Sequence, residues 1–595
     1  MSTAILTGQP VPGSSIEDDL RSLGFDVRIA ADAADTETLL AQVPGGLRVA
    51  VVDARFVGHV HALRLGLTDP RFPLAAIPGA VTAQPAGRQA LTRAVARENS
   101  AGGGTAVAVD SLADRIVTAL AADGTDVHRP ELGSLVAEVP ADPQARNEAR
   151  QSVAAVDDEA VRLKSAVKAR DGFFTTYCVS PYSRYIARWC ARRGLTPNQV
   201  TTASLITALI AAGCAATGTR GGFIAAGLLL IASFVLDCTD GQLARYSLQY
   251  STLGAWLDAT FDRAKEYAYY AGLALGAARG GDDVWALALG AMVLQTCRHV
   301  VDFSFNEANH DATANTSPTA ALSDKLDSVG WTVWVRRMIV LPIGERWAMI
   351  AILTAATTPR ITFYALLIGC AFAAVYTTAG RVLRSLTRKA TRTDRAAQAL
   401  ADLADNGPLA SLVARATRAR LGSPLLVALA GTAVLTVALF SGVTWAPVVG
   451  AVVYTVTAGQ ALYRPLKGAL DWLVPPLFRA AEYGTVLVLA AKADVNGALP
   501  AAFGLVGAVA YHHYDTVYRI RGNAGASPAW LVRAIAGHEG RTLIVVVLAA
   551  VLTASQFTVA LTVLAVAVAL VVLVESIRFW VSAGAPAVHD EGEPA

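Results

Sequence analysis

Long apolar runs constrain the fold of this chain more than any other feature of its sequence. The first group lies at approximately 198–218, 222–240, 253–278, 283–303, 346–358 with its flanks, and 361–381. Most of them approach the length that an α-helix needs to cross a bilayer, about 20 residues. Of the 595 residues, 54% are hydrophobic and 16% are charged, whereas soluble proteins carry about 25% charged residues. The sequence therefore predicts a mainly α-helical, polytopic membrane protein, with six spans in a first membrane domain over 196–384.

A second group of apolar runs follows after a stretch of polar sequence. Residues 385–422 are rich in Ala, Arg and Asp and predict a polar linker. Residues 423–585 predict a second helical membrane domain with about five or six spans, and 586–595 predict an acidic, solvated tail. Arginines precede the first span and follow the sixth, so we expect both ends of the first membrane domain to face the cytoplasm.

The first 150 residues alternate short apolar runs with helical patterns. This alternation predicts a small α/β domain, Rossmann-like, with a parallel sheet. A nucleotide site would need a glycine-rich turn after the first strand, but TGQPVPGSS has proline where backbone amides should cradle phosphate. The run Gly102, Gly103, Gly104 also lacks the spacing of a phosphate loop. We therefore favour a degenerate domain over an active one, and expect it in the cytoplasm because no secretory signal precedes it.

The segment 151–195 predicts a linker followed by a juxtamembrane amphipathic helix. Its sequence SPYSRYIARWCARRG repeats aromatic, basic and apolar residues at helical spacing. Such a helix lies either on the membrane surface or against protein, and the sequence does not separate these alternatives. The six cysteines show no paired spacing, which argues against a disulfide framework and a zinc site. A net charge of +3 is too small to indicate nucleic acid as a partner.

Four carboxylates stand between the second and third predicted spans, in the stretch DCTDGQLARYSLQYSTLGAWLDATFD. Asp237 and Asp240 are three residues apart, and Asp258 and Asp262 are four apart, so each pair shares one face of a helix. Two such helices side by side would bring the four carboxylates together. An uncompensated cluster at membrane depth is costly. All-oxygen ligation predicts Mg²⁺ or Mn²⁺ rather than zinc, as two ions about 3.5–4 Å apart.

The residues between the two acid pairs suit a phosphate-bearing substrate. Gly241 and Ala244 remove side-chain bulk beside the acids, and Arg245 can make a two-pronged contact with phosphate oxygens. Gly254 lies one turn before Asp258 and allows close approach of a second helix. Asp262 is last on its helix face, where it could contact an ion and also accept a proton from an incoming hydroxyl.

The pattern D-x2-D-G-x2-A-R-x8-G-x3-D-x3-D resembles the signature of the CDP-alcohol phosphotransferases. The eight matching positions are Asp237, Asp240, Gly241, Ala244, Arg245, Gly254, Asp258 and Asp262. The resemblance covers about 170–390 and implies six transmembrane helices around a polar cavity that opens to the cytoplasm. It also implies that two metal ions bind the diphosphate of a CDP-alcohol, that an acceptor hydroxyl attacks the phosphate bearing the alcohol, and that CMP leaves.

The resemblance also assigns roles to individual residues. Asp237 and Asp258 would bridge both ions, Asp240 would complete one, and Asp262 would bind the other and act as the base. The residues expected to contact the CDP-alcohol are Asn198, Gln199, Val200, Thr201, Gly241, Ala244, Arg245, Ser251 and Gly254. The weaker candidates for the acceptor site are Arg298, Arg346 and Arg381.

The two alcohols are less constrained than the reaction. TPNQVT and the GER of LPIGERW resemble family members that transfer a phosphatidyl group to inositol phosphate. We therefore favour CDP-diacylglycerol as donor and a polyol or polyol phosphate as acceptor, in phospholipid synthesis at the cell membrane, with a homodimer as a further expectation. The domain order also resembles bifunctional proteins that make CDP-inositol, so a polar donor of the di-inositol-phosphate synthase type is the alternative.

A non-catalytic membrane binding or transport module is a hypothesis from a different class. The intact set of four acids argues against it. The C-terminal region resembles a domain of unknown function appended to some actinobacterial family members. Charged residues beside its spans form either a second polar site or paired helix ends, and we favour pairing.

Overall fold

The computed structural model describes residues 2–101, 111–168, 171–312, 338–387, 390–417 and 422–582, together with Trp334. The run Gly102, Gly103, Gly104 and the predicted acidic tail lie outside these residues. The chain begins with an α/β domain, continues through two linking helices and a juxtamembrane helix into a first set of long helices, and ends in a second helical set.

Five strands form the main sheet of the N-terminal domain, in the order β2-β1-β3-β6-β5. The strands of the chain are β1 (Ser2–Thr7), β2 (Phe25–Ala30), β3 (Val49–Asp53), β4 (Val57–Gly58), β5 (Leu74–Ile77), β6 (Ala80–Ala83) and β7 (Ala137–Glu138). β1 is parallel to β2 and β3, but β6 is antiparallel to β3 and β5. The predicted parallel sheet is therefore wrong at this edge. Only Pro78 and Gly79 join β5 to β6, and a two-residue connection permits a hairpin but no crossover.

Five helices cover the sheet. They are α1 (Ile16–Ser22), α2 (Ala33–Gln42), α3 (Val60–Thr68), α4 (Arg88–Ala101) and α5 (Leu112–Ala122). Neighbouring residues of β3 enter different apolar cores: Val51 packs in the core that contains α4 and α5, and Val52 in the core that contains α1 and α3. Both faces of the sheet are therefore buried, which explains the continuous apolar runs of its strands.

Two helices and a juxtamembrane helix connect this domain to the bilayer region. They are α6 (Pro143–Ala154), α7 (Asp158–Ser165) and α8 (Ser180–Arg192). On α8, Ala187 and Cys190 are buried, whereas Tyr182, Tyr185 and Trp189 are exposed. The aromatic side therefore faces away from the protein. This arrangement favours the first of the two alternatives, a helix on the membrane surface.

Six helices form the first membrane domain. They are α9 (Pro197–Ala216), α10 (Arg220–Ser247), α11 (Thr252–Arg279), α12 (Trp285–Asn309), α13 (Ile343–Ala356) and α14 (Pro359–Thr387). Helices α9 and α11 pack closely because α11 has glycine at the contact. A Cβ atom at Gly272 or Gly276 would stand 2.4 or 2.0 Å from the carbonyl oxygens of Ala212 and Ala215. The small residues let the two backbones approach, as in other membrane helix pairs.

Six of the described helical segments are long and apolar enough to cross a membrane. They are Pro197–Ala216, Arg220–Ser247, Pro359–Thr387, Asp471–Ala493, Ala529–Val551 and Ala554–Ser582. Helix α11 is not among them, although it has 28 residues, because its first half contains charged side chains. The protein is thus a multi-pass membrane protein whose first domain combines fully apolar helices with helices that bear polar residues.

The second helical set begins earlier than the sequence predicts. Its helices are α15 (Asp394–Ala404), α16 (Pro408–Thr417), α17 (Pro424–Phe440), α18 (Ala446–Ala461), α19 (Val474–Ala493), α20 (Ala498–Arg521), α21 (Ala529–Ala534), α22 (Gly537–Val551) and α23 (Ala554–Ser582). The polar linker predicted over 385–422 is therefore corrected, because it contains α15 and α16. Leu400 and Leu403 are fully buried in one core with Trp472 and Phe478. These helices are amphipathic, and their polar side suggested a linker.

A buried network of charged residues stands at the centre of the C-terminal set. Asp405, between α15 and α16, accepts hydrogen bonds from Arg541 at 2.7 Å and from His512 at 3.1 Å. Arg541 also donates to Glu482 at 2.6 Å, and Glu482 accepts from Arg479 at 2.8 Å. Paired charges explain how these side chains are buried. Burial acts to raise the pKa of Asp405, but Arg541 and His512 hold it well below its usual range.

We expect Asp405→Asn to lower the free energy of unfolding by about 3–5 kcal/mol, because it leaves buried cations without their counter-charge. Thermal unfolding of the chain in detergent micelles at pH 7 would measure this loss. A carboxylate with a lowered pKa stabilises the native state above the unfolded pKa of about 3.9, and this contribution is lost as the pH falls below it. The difference in the free energy of unfolding between the unchanged chain and Asp405→Asn should therefore become smaller below about pH 4.

The matched control is Asp394→Asn, which removes a carboxylate that is 94% exposed and pairs with Lys467 on the surface. Surface pairs contribute little, so its unfolding midpoint should stay close to that of the unchanged chain. Equal effects of the two substitutions would contradict a central role for Asp405.

Candidate metal and substrate site

The two acid pairs lie on neighbouring helices, close to the loop that joins them. Helix α10 continues beyond the predicted span and ends at Ser247. The next residue, Leu248, caps the helix with a left-handed φ of +51°. Ser251 then begins α11 by accepting a hydrogen bond from the backbone N–H of Gly254 at 3.0 Å. The connection is therefore only four residues long, 248–251. It returns the chain so that the end of α10 faces the start of α11.

Three of the four predicted acids converge. Asp237, Asp240 and Asp258 each offer a carboxylate oxygen, and these oxygens all lie within 4.8 Å of one another. Oδ2 of Asp240 is buried and accepts no hydrogen bond from a described residue. A buried carboxylate oxygen without a donor is costly unless a cation supplies the missing interaction. The three side chains thus fit a divalent ion that prefers oxygen ligands.

Asp262 lies beside this three-acid group and has a different partner. Its Oδ1 is 2.9 Å from Nζ of Lys265, which also forms an ion pair with Asp237. Lys265 is fully buried. Sequence reasoning missed this residue, although it is three positions after Asp262 and seven after Asp258, a spacing that places all three on one helix face.

The start of α9 meets the start of α11 next to the acids. A Cβ atom at Gly254 would stand 2.7 Å from Oδ1 of Asn198 and 2.8 Å from Oγ of Ser251. Glycine at this position therefore allows these two side chains to approach the backbone of α11. Gln199 accepts a hydrogen bond from the backbone N–H of Thr196 at 2.9 Å, which completes a capping box at the start of α9.

The other residues predicted to contact the CDP-alcohol include Val200, Thr201 and Gly241. Val200 is buried against Leu243, and Thr201 is buried and donates to the Pro197 carbonyl at 3.0 Å. Beside Gly241, a Cβ atom would be in van der Waals contact with the guanidinium of Arg245, whose two terminal nitrogens would lie 3.5 Å away. The Arg245 guanidinium therefore lies against this glycine.

A family model described as CDP-alcohol phosphatidyltransferase matches residues 194–375. This segment is a CDP-alcohol phosphatidyltransferase domain. Its match includes the helices that carry all four acids. A second family model, described as a family of unknown function (DUF5941), matches residues 394–595 and begins with α15.

Similar proteins match part of the chain. The chain is 36% identical over 131 residues to a phosphatidylinositol phosphate synthase of Streptomyces avermitilis, and the matched segment covers 21% of this chain and 51% of that protein. The chain is 31% identical over 113 residues to an archaetidylinositol phosphate synthase of Pyrococcus horikoshii, and this match covers 19% of the chain and 58% of that protein. A bifunctional IPC transferase and DIPP synthase of Aquifex aeolicus is 31% identical to the chain over 114 residues, and this match covers 19% of the chain and 26% of that protein. The chain spans about half the length of the first two relatives.

The N-terminal domain and its linking helices hold the loop of the CDP-alcohol phosphatidyltransferase domain. Arg64 of α3 donates to the Ser247 carbonyl at 3.2 Å, and Arg162 of α7 donates to the Tyr246 carbonyl at 2.9 Å. The Arg162 guanidinium also lies 3.6 Å from the centre of the Tyr246 ring, whose hydroxyl donates to Glu159 at 2.9 Å. The end of α10 is therefore fixed from outside the CDP-alcohol phosphatidyltransferase domain.

Arg245 takes part in the same contact. Its Nε donates to the Ala166 carbonyl at 2.6 Å, just after α7. The predicted contact between Arg245 and phosphate stays a prediction. The hydrogen bond through Nε orients the guanidinium, whose two terminal nitrogens lie on the side of Gly241.

The three arginines proposed for the acceptor have different partners. Arg346 is buried and pairs with Glu266, with Nε 2.9 Å from Oε1. Arg381 forms an ion pair with Asp302. Arg298 is 6% exposed and donates from Nη2 to the Val340 carbonyl. Its Nε and Nη1 make no hydrogen bond to any residue that the structure describes, so Arg298 retains donors for an anion.

We expect Gly254→Ala to lower the free energy of unfolding by about 1–3 kcal/mol, because the new methyl group would overlap Asn198 and Ser251. Thermal unfolding in detergent micelles would measure the change. Gly213→Ala in α9 is the matched control, since a Cβ atom there meets nothing within 4 Å. Alanine in an open helical position should stabilise the chain by about 0.5–1 kcal/mol. Stabilisation by both substitutions would contradict the close contact at Gly254.

Proposed function

We propose that this protein transfers a phospho-alcohol group from a CDP-alcohol to a hydroxyl acceptor and releases CMP. The observation that carries the proposal is the convergence of Asp237, Asp240 and Asp258 on one point, with a buried oxygen of Asp240 that lacks a donor. Divalent metal bound there would neutralise the diphosphate of the donor and make CMP a better leaving group. The family match and the named synthases agree with this chemistry.

The remaining motif residues position the reactants in this proposal. The diphosphate binds next to the acids, and the Arg245 guanidinium, which lies against Gly241, contacts its oxygens. The acceptor hydroxyl oxygen forms a bond to the phosphorus that carries the donor alcohol, and the bond from this phosphorus to CMP breaks. Asp262 stands one helical turn beyond Asp258 and outside the three-acid group. It accepts the proton of the attacking hydroxyl.

We favour CDP-diacylglycerol as donor and a polyol phosphate as acceptor. The apolar helices on either side of the acids provide a bilayer surface for acyl chains. Arg298 supports an anionic acceptor because it is buried and has two nitrogen atoms, Nε and Nη1, without a hydrogen-bond partner among the described residues. We also propose that the site faces the cytoplasm at the cell membrane, since arginines flank both ends of the first membrane domain. A homodimer stays a prediction.

Membranes that contain the protein should release CMP from CDP-diacylglycerol when inositol phosphate and Mg²⁺ or Mn²⁺ are present. A chelator should abolish this release. Asp258→Asn should lower the rate at least about 100-fold, because electrostatic stabilisation of the transferred phosphate is lost. Asp494→Asn is the control, since it changes an exposed residue at the end of α19. An active Asp258→Asn protein would contradict the proposed site, and release from CDP-inositol alone would favour the polar donor.

Arg298→Gln should raise the KM for inositol phosphate about 10- to 100-fold, the equivalent of about 1.5–3 kcal/mol for a charge-assisted hydrogen bond. The KM for CDP-diacylglycerol should change little. Arg381→Gln is the matched control, because Arg381 already pairs with Asp302. If Arg298→Gln raised the KM of both substrates equally, Arg298 would have a structural role and the acceptor assignment would fail.

A further inference from the structure

A lysine occupies the position where a second metal ion would be expected. Nζ of Lys265 forms an ion pair with Asp237, lies 2.9 Å from Oδ1 of Asp262 and donates to Oγ of Ser204 at 3.2 Å. It also lies 5.4 Å from the centre of the Trp347 ring. Lys265 is fully buried, so its ammonium group depends on these partners for the interactions that water would otherwise supply.

The four carboxylates are thus divided into two sets by their partners. Asp240 and Asp258 have no ion pair with Lys265, and with one oxygen of Asp237 they form the three-acid group. Asp262 and the Oδ1 of Asp237 surround the ammonium. Asp237 is shared between the sets, because it contributes an oxygen to the three-acid group and its Oδ1 pairs with Lys265.

The ammonium of Lys265 and a divalent ion cannot both occupy the position between Asp237 and Asp262, because the two positive charges would repel each other strongly. A second divalent ion between Asp237 and Asp262 would have to displace the ammonium of Lys265. The displaced group would remain buried between Ser204 and Trp347, where no other carboxylate among the described residues forms an ion pair with it. A buried ammonium without a counter-charge is costly at membrane depth.

We propose that the site binds one divalent ion, between Asp237, Asp240 and Asp258, and that Lys265 supplies the second positive charge of a two-cation site. This differs from the two ions that the sequence and its family resemblance predict. The ammonium would hold Asp262 in place and complete the positive charge that faces the donor diphosphate. The role toward diphosphate rests on the proposed function, whereas the number of ions does not.

The number of bound Mn²⁺ ions tests this proposal without substrate. We expect the purified full-length protein in detergent to bind one Mn²⁺ per chain, counted by equilibrium dialysis, with the electron paramagnetic resonance spectrum of an isolated ion. Lys265→Ser should bind two, because it frees Asp237 and Asp262. Two Mn²⁺ ions about 3.5–4 Å apart should then give a magnetically coupled spectrum. Lys265→Arg should still bind one.

Two coupled ions in the unchanged chain would overturn the proposal, as would one ion in a folded Lys265→Ser protein or no bound Mn²⁺ at all. The number of Mn²⁺ ions bound by the unchanged chain tests the proposal even if Lys265→Ser does not fold. Thermal unfolding would show whether Lys265→Ser is folded. The outcomes separate this inference from the proposed function. Two ions together with CMP release would refute only the role of Lys265, whereas one ion without CMP release from any CDP-alcohol would refute only the transferase activity.

Discussion

The rest of this structure depends on how four carboxylates are kept together inside a membrane protein. Asp237 and Asp240 lie in the second half of α10, and Asp258 and Asp262 lie in the first half of α11, so the repulsion between the two acid pairs acts between two helices. Lys265 reduces this repulsion from within the same helix that carries Asp258 and Asp262. The three remaining acids still fit a cation, and the Arg245 guanidinium lies against Gly241, one residue after Asp240.

Both additional domains contact the two helices that carry these acids. Arg64 and Arg162 hold the carbonyl groups at the end of α10 from the N-terminal side. On the other side, Tyr514 of α20 hydrogen-bonds His299, and its ring lies 5.6 Å from the guanidinium of Arg263, the residue after Asp262. A change in either domain can therefore reach the acids through one or two contacts. The α/β domain therefore has a structural role beside the acids.

The sequence predicted the membrane helices better than the strand directions and the long-range ion pairs, for a physical reason. Apolar length and the three- and four-residue spacing of the acids depend only on local helix geometry, so α9 to α14 and the convergence of Asp237, Asp240 and Asp258 were predictable. The antiparallel edge at Gly79 was missed because alternating patterns do not report strand direction. The helices α15 and α16 were missed because their polar sides resemble the sequence of a linker. The partners of Arg346 and Arg381 could not be predicted, since Glu266 and Asp302 are about 80 residues away in sequence.

By itself, the sequence determined that the chain crosses a membrane and that it places four carboxylates on two helix faces with a glycine-rich approach for phosphate. These properties follow from residue type and periodicity within single helices. Only the tertiary structure decided which carboxylates meet a lysine and which remain open to a metal ion. It also decided that Arg298 has two nitrogen donors without a hydrogen-bond partner among the described residues. Those outcomes depend on packing between segments far apart in the chain, where one neighbouring charge changes what a side chain can bind.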